Sequence, residues 1–183
     1  RFIAKNGEFI WLRDIVNVVA EDGKPKWLRG VMFDVTHFKE TNLLLSESEE
    51  KYRGLVENAP YGIIIYVGDK VAFINAEVLK MAQAKDKNEL IGRSVLDFVH
   101  PDSMEDIAYR MTQVHRDENA SDIVEAKLMT VDGIPLYVEL KAIPTVYEHQ
   151  QAVQLIIQDI SVQKQSAVDL NKINRVYALI SQI

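Results

Sequence analysis

Asp102, Glu105 and Asp106 lie within five positions of one another, Asp117 and Glu118 are adjacent, and four histidines are spread along the 183 residues. These side-chain types support acid–base or metal chemistry, but their spacing argues against both. An active site needs a nucleophile beside a base, carboxylates in contrasting environments, or a cluster of ligands. The first three acids fall where a helix is expected to begin, a place that favours negative charge through the helix dipole. The other two fall in a polar loop. His100 belongs to a His-Pro-Asp turn, His115 to a helix flank, and His37 and His149 to segment ends; a histidine so placed is more often solvated or structural than a metal ligand. No phosphate-cradling glycine loop, Gly-x-Ser-x-Gly or His-Glu-x-x-His pattern occurs. Without cysteine there is no disulfide, thiolate nucleophile or cysteine-linked chromophore. Catalysis within this chain is not expected.

A different pattern carries more information. Asp34-Val35-Thr36 recurs 125 residues on as Asp159-Ile160-Ser161, each time after a short apolar run and before a polar, helix-like tail. A hydroxyl there is placed to cap the following helix, and the Asp two residues earlier is placed to pair with a basic group or accept from backbone N–H groups. Two readings stand side by side. One is simple capping, worth about 1 kcal/mol; the other is a coupling that switches if the sheet has two states.

The recurrence extends backwards. Asn6-Gly7 aligns with Asp132-Gly133, Trp11 with Tyr137, Asp34 with Asp159 and Thr36 with Ser161. An Asn-Gly or Asp-Gly pair signals a tight turn, and two β-rich runs follow it, so each copy is expected to end in a three-stranded antiparallel meander. Between the copies, Ser46 with Glu49 makes a capping-box pattern that opens a helix through Tyr52, Leu55, Val56 and Ala59, which Pro60 and Gly62 stop. "GIIIYV" and "VAFIN" read as strands, and Asn75 as the cap of a helix carrying Val78, Leu79 and Met81. A short helical piece at "KNELIG" and a turn over "SVLDFVHPDS" follow. Ser103 is placed to cap a longer helix with Ile107, Met111 and Val114. Three more strands, "DIVEAKLMTV", "IPLYVELKAI" and "QAVQLIIQDI", lead into a helix from Ser161 to the end. Two strands, a run of helices and three strands predict an α+β fold, a sheet with helices on one face.

These segments resemble a known family. "YRGLVENAPYGIIIY", "INAEVLKM", "LIGRSVLDFVHPDS" and the Asp-Ile-Ser ending look like a PAS domain with its PAC strands, and "NGEFIWLRDIVNVV" with "GVMFDVTHFKE" resembles the PAC end of a preceding PAS domain. The resemblance implies a five-stranded antiparallel sheet with short helices on one face. It implies four parts: residues 1–36 as the end of one PAS domain, 37–58 as a connecting helix, 59–161 as a complete PAS domain and 162–183 as a signalling helix. Asp34, Thr36, Asp159 and Ser161 then match the family's exit motif, where the last strand hands over to an outgoing helix.

Strand alternation and helix spacing place Met81, Phe98, Ile107, Met111, Val114, Leu128, Val138, Leu155 and Ile157 toward one core. They read either as core filling or as the lining of a small pocket, which would take a small apolar ligand. Flavin-adduct members of the family use a cysteine, and a Gln where Ile157 stands, so that chemistry is excluded. Haem-binding members place a histidine near the position of Met111, so haem is not expected. In the outgoing helix Leu170, Ile173, Tyr177 and Ile180 form a seam at spacings of three, four and three, which fits either packing on the sheet or a parallel homodimer.

Nearly half the residues are apolar, and 21 basic residues are scattered among 27 acidic ones for a net charge of −6. This excludes a phosphate-tracking surface, so nucleic acid is not an expected partner. No apolar run has membrane-spanning length, and a cytoplasmic location is expected. The functional expectation is a sensory and dimerisation module, with a covalently linked output domain beyond Ile183. "LNKINRVYALISQI" resembles the lead-in to GAF domains in GGDEF/EAL proteins or histidine kinases, with cyclic-di-GMP output slightly preferred over a kinase. A ligand-free dimerisation scaffold and a haem- or metabolite-binding module are the alternatives.

Overall fold

The structure, a computed structural model, describes residues 1–5, 7–117 and 121–180, the side chains of 115–117 and 176–180 excepted. They form two compact units, Arg1–Gly54 and Leu55–Ile183.

The first unit is built from hairpins. β1 (Phe2–Ile3) pairs with β2 (Phe9–Ile10), and β3 (Leu12–Glu21) pairs antiparallel with β4 (Lys24–Asp34). Asp22 and Gly23 join the long pair, both at positive φ, the conformation that a tight turn between right-twisted strands requires. Almost every residue of β3 and β4 is exposed. Helix α1 (Thr36–Glu57) follows without a break. Ser46, expected as a helix cap, therefore lies in mid-helix. A cap needs a non-helical residue, and nothing between Thr36 and Ser46 interrupts the helix.

The second unit has one sheet with a helical layer on one face. Its strands are β5 (Gly62–Val67), β6 (Lys70–Ile74), β7 (Val124–Met129), β8 (Pro135–Tyr147) and β9 (Gln150–Asp159), in the order β6-β5-β9-β8-β7, all antiparallel. Helices α2 (Ala76–Met81) and α3 (Pro101–Asp117) pack on it, with short 3-10 turns at Lys87–Glu89 and Val95–Phe98 between them. Helix α4 (Ser161–Ile180) leaves from β9. Gly62 lets α2 approach β5 closely: a Cβ there would stand 3.1 Å from both Met81 Sδ and Val78 Cγ2.

Two caps resolve differently. Asn75 caps α2 through its side chain, as expected. α3 begins at Pro101, whose fixed φ and missing N–H suit a first helical position. Ser103 thus lies inside the first turn, and its hydroxyl accepts instead from the Lys127 amide on β7, at 3.0 Å.

The internal repeat is visible bond by bond. Phe2 opposite Ile10 and Ile3 opposite Phe9 reproduce Leu128 opposite Leu136 and Met129 opposite Pro135. The turns match as well. Ala4 N donates to Glu8 O (2.7 Å) and Gly7 N to Ala4 O (2.9 Å), as Thr130 N does to Ile134 O (2.9 Å) and Gly133 N to Thr130 O (3.0 Å).

Candidate functional site: a core cavity beside the outgoing helix

The sheet's inner face and the helical layer leave a cavity of about 100 Å³ between them. Ile64 of β5, Val71 and Ile74 of β6, Leu128 of β7, Leu136 and Leu140 of β8 and Leu155 and Ile157 of β9 line the sheet side. Val78 and Met81 of α2, Phe98, and Ile107 and Met111 of α3 line the other. Every lining residue is apolar. An apolar void of this size is one that water leaves dry, because a buried water needs two to four polar partners.

Two residues beyond the cavity residue Ile157 the last strand ends and a helix follows. Asp159 Oδ1 accepts from the Ser161 amide at 2.8 Å. The Ser161 hydroxyl accepts from the Tyr137 amide of β8 at 3.1 Å, and the Tyr137 carbonyl accepts from Ile160 N at 2.9 Å. Three hydrogen bonds thus staple the start of α4 to β8 and β9. Of the two roles open to the Asp, the structure has it accept from backbone N–H. The hydroxyl does not cap its own helix; it reaches across to the neighbouring strand, whose amide has no ladder partner there. Leu136, next to Tyr137, and Ile157, two residues before Asp159, are both cavity walls.

The first unit repeats the junction. Thr36 N donates to Asp34 Oδ1 at 2.9 Å, Trp11 N to Thr36 Oγ1 at 2.8 Å and Val35 N to Trp11 O at 2.8 Å. Hydrogen bonds from the Thr36 hydroxyl and amide hold the Asp34 carboxyl below the usual carboxylate range.

The incoming end is also tied down. The Asn75 side chain accepts from Ile63 N (3.0 Å) and Val78 N (3.3 Å), and donates to Val56 O (3.0 Å) and Tyr61 O (2.9 Å). Glu57 accepts from Ala76 N at 2.9 Å and pairs with Lys87 at 2.9 Å. The end of α1 is therefore joined to the start of α2, which carries the cavity residue Val78.

A family model described as PAS fold matches residues 50–160, more than half of the chain. The chain belongs to the PAS family. It is 29% identical over its whole length to sporulation kinase A of Bacillus subtilis and spans 32% of that protein. It is 28% identical over 122 residues, 66% of the chain, to the two-component sensor PprA of Pseudomonas aeruginosa, of which it spans 13%. The chain thus spans about a third of one relative and about an eighth of the other. The PAS domain of an HTR-like protein from Haloarcula marismortui superposes with a TM-score of 0.57 at 23% identity, over 67% of this chain and 99% of that one, a likeness of fold. This is a PAS sensory domain of the kind used in signal transduction; one of these relatives is named a kinase and the other a two-component sensor, and neither name points to the cyclic-di-GMP output that the closing helix was expected to serve.

Within this PAS core, seven of the nine expected pocket residues line the cavity: Met81, Phe98, Ile107, Met111, Leu128, Leu155 and Ile157. Val114 and Val138 do not. Val114 packs in the buried cluster around Tyr66, Ala142 and Val153 and borders a separate groove with Pro144, Val146 and Gln151, while Val138 is fully buried with Val99, Ile107 and Ala126. Sequence reasoning missed Ile64, Val71, Ile74 and Val78; Val71 and Ile74 are three apart on β6 and both reach the cavity across an irregularity in the β5–β6 register, which strand alternation does not anticipate. Among the described residues no histidine lines the cavity, and its volume is well below the roughly 300 Å³ at which drug-sized ligand sites begin. Among the described residues no cluster of His, Asp or Glu is arranged to hold a metal.

His100 Nδ1 accepts from the Asp102 amide at 3.1 Å, which makes it a turn residue. Leu170 and Ile173 are exposed on α4. The side chains of Tyr177, Ile180, His115 and Asp117, and all of Glu118, lie outside the described residues. No helix among them is long and apolar enough to cross a membrane.

Proposed function

We propose that this chain is a cytoplasmic sensory relay of a bacterial sensor histidine kinase. It carries out no catalysis itself. It converts occupancy of the PAS core, or a change arriving through α1, into movement of α4. The observation that carries the reading is that Leu136 and Ile157 line the cavity and stand one residue from Tyr137 and two from Asp159, which make the hydrogen bonds that start α4. A ligand that displaces either side chain presses on the staple, and a helix pinned at its first turn transmits that shift as rotation or tilt. The occupant is a small, uncharged, apolar molecule. Nothing on the walls pairs with charge, and a buried unpaired charge is prohibitive, while dry cavities of roughly 150 Å³ hold benzene or xenon. The kinase output rests on the relative named a kinase, with the two-component sensor beside it, and the surface of α4 that carries the exposed Leu170 and Ile173 is the one on which two copies pair.

Native mass spectrometry of the purified chain, with the denatured mass as control, tests the reading. A dimer carrying extra mass supports the ligand sensor. A clean dimer, together with a failure of benzene to raise the thermal midpoint, moves the chain to the ligand-free scaffold. For the output, the full-length protein is given ATP and GTP separately: a phosphorylated histidine is expected, and formation of cyclic di-GMP overturns the kinase assignment.

A further inference from the structure

Lys127 of β7 touches both ends of the proposed relay. Its Nζ lies 2.9 Å from Asp102 Oδ2 in the first turn of α3 and 5.8 Å from the Tyr137 ring centroid. Its backbone is bound to the same helix start, the amide to Ser103 Oγ at 3.0 Å and the carbonyl to His100 N at 2.9 Å. α3 carries the cavity residues Ile107 and Met111, and Tyr137 is the residue whose amide and carbonyl staple α4. The lysine side chain is only 22% exposed, so its two partners hold it in a confined place.

The first unit repeats the cation. Arg1 stands one repeat before Lys127, at the same offset that relates Trp11 to Tyr137. Its guanidinium lies 3.9 Å over the Phe9 ring and 5.9 Å from the Trp11 ring centroid, and Lys39 Nζ stands 5.8 Å from the same Trp11 ring; Trp11 staples α1 as Tyr137 staples α4. A basic residue within 6 Å of the stapling aromatic thus occurs in both copies, Lys127 in one and Arg1 together with Lys39 in the other. A cation over an aromatic face is attracted by the ring quadrupole, and here that attraction fixes the aromatic whose backbone holds the helix.

We propose that Lys127 is a positioning residue that couples the start of α3 to the first turn of α4 by bridging Asp102 and the Tyr137 ring. The proposal rests on the relay reading for its meaning. Its test needs no ligand and no dimer, so it fails independently of that reading. Hydrogen exchange is followed for the amides of Ser161 and Lys164, which bond to Asp159 Oδ1 and Ile160 O, with interior amides of β5 and β9 as internal reference. In K127M the two α4 amides are expected to exchange about three- to tenfold faster, with the reference amides unchanged. K127R, which installs the first copy's residue, is expected to stay within about twofold of wild type. D102N touches neither Tyr137 nor α4, yet is expected to shift the same amides in the same direction. Unchanged α4 amides in a folded K127M overturn the proposal, as does an acceleration shared equally with the reference amides, which would mark mere loss of stability. Exchange in K127R as fast as in K127M removes the role of the cation over the ring. Should K127M not fold, D102N decides alone: no change at α4 overturns the coupling.

Discussion

Asn75 shows how much one buried side chain organises here. It is fully buried, and its amide uses two acceptor and two donor positions on groups up to 19 residues away. Its role as the α2 cap was legible because an Asn before an apolar helical run is a local signal. Its bonds to Val56, Tyr61 and Ile63 were not, because they depend on where a turn returns the chain. Asn75→Ala strands two carbonyls and the Ile63 amide, and is expected to cost about 2–4 kcal/mol in urea unfolding. Asn75→Asp restores the acceptor but no donor and is expected to recover little of that loss. Tyr66 gives a pH prediction. Burial pushes its phenol up to about 12, above the unfolded value near 10. The folded pKa is raised, so its contribution is whole below pH 10 and is lost as pH rises from 10 toward 12. The loss reaches about 2–3 kcal/mol. Unfolding followed between pH 8 and 12 is expected to show this fall in wild type and its absence in Tyr66→Phe; equal slopes in both would mean that the phenolate is tolerated in the core.

At the level of elements, the order of strands and helices in the second unit was legible because each carries its own signal: period-two runs, tight-turn pairs and caps. Boundaries failed where two signals competed. Ser46 and Ser103 both look like caps, yet an earlier start takes the helix past each, at Thr36 and at Pro101. The exit motif was found by repetition, but its geometry was not, since the hydroxyl's partner lies on another strand 24 residues away. That geometry predicts a specific effect. Ser161→Ala leaves Asp159 in place but removes the bond to Tyr137 N, and is expected to cost about 1 kcal/mol and to loosen the first turn of α4 in hydrogen exchange. Ser161→Thr is expected to behave as wild type, since Thr36 makes the same bond in the first unit. Further along α4, Leu170 is 59% and Ile173 is 52% exposed, which leaves these two side chains free to pair. Ile173→Asp is expected to convert a dimer to monomer in sedimentation velocity without changing the far-ultraviolet spectrum; a persistent dimer would move the pairing surface elsewhere.

The two units of the whole molecule differ in what they bury, and that difference predicts how each behaves alone. The second has a five-stranded sheet, a helical layer and buried clusters around Tyr66 and Val138. The first presents Trp27, Leu28, Val31 and Phe33 largely to solvent and rests on two hairpins and a helix. A single two-stranded hairpin is at best marginally stable in water, and a sheet needs a third strand or a packed face to stand alone. The repeat shows where the shortfall lies. The repeat makes β8–β9 of the second unit the counterpart of β3–β4, and β8–β9 is flanked by β5 and β7; β3 and β4 pair only with each other among the described residues. The strands were legible from sequence because their alternation is local, whereas burial of their faces depends on neighbours that the hairpin does not itself contain. A chain of residues 46–183, which keeps Val56 and Glu57, is therefore expected to unfold cooperatively in urea within about 1 kcal/mol of the same transition in residues 1–183, because the buried clusters around Tyr66 and Val138 draw only on residues after Ser46. Residues 1–54 alone are expected to show a broad, weakly cooperative transition by circular dichroism. A sharp transition in the short chain would mean that the hairpins and α1 bury a core of their own. A large loss of stability in residues 46–183 would mean that the PAS core depends on residues before Ser46, and would place part of the sensor's stability in the segment that brings the signal in.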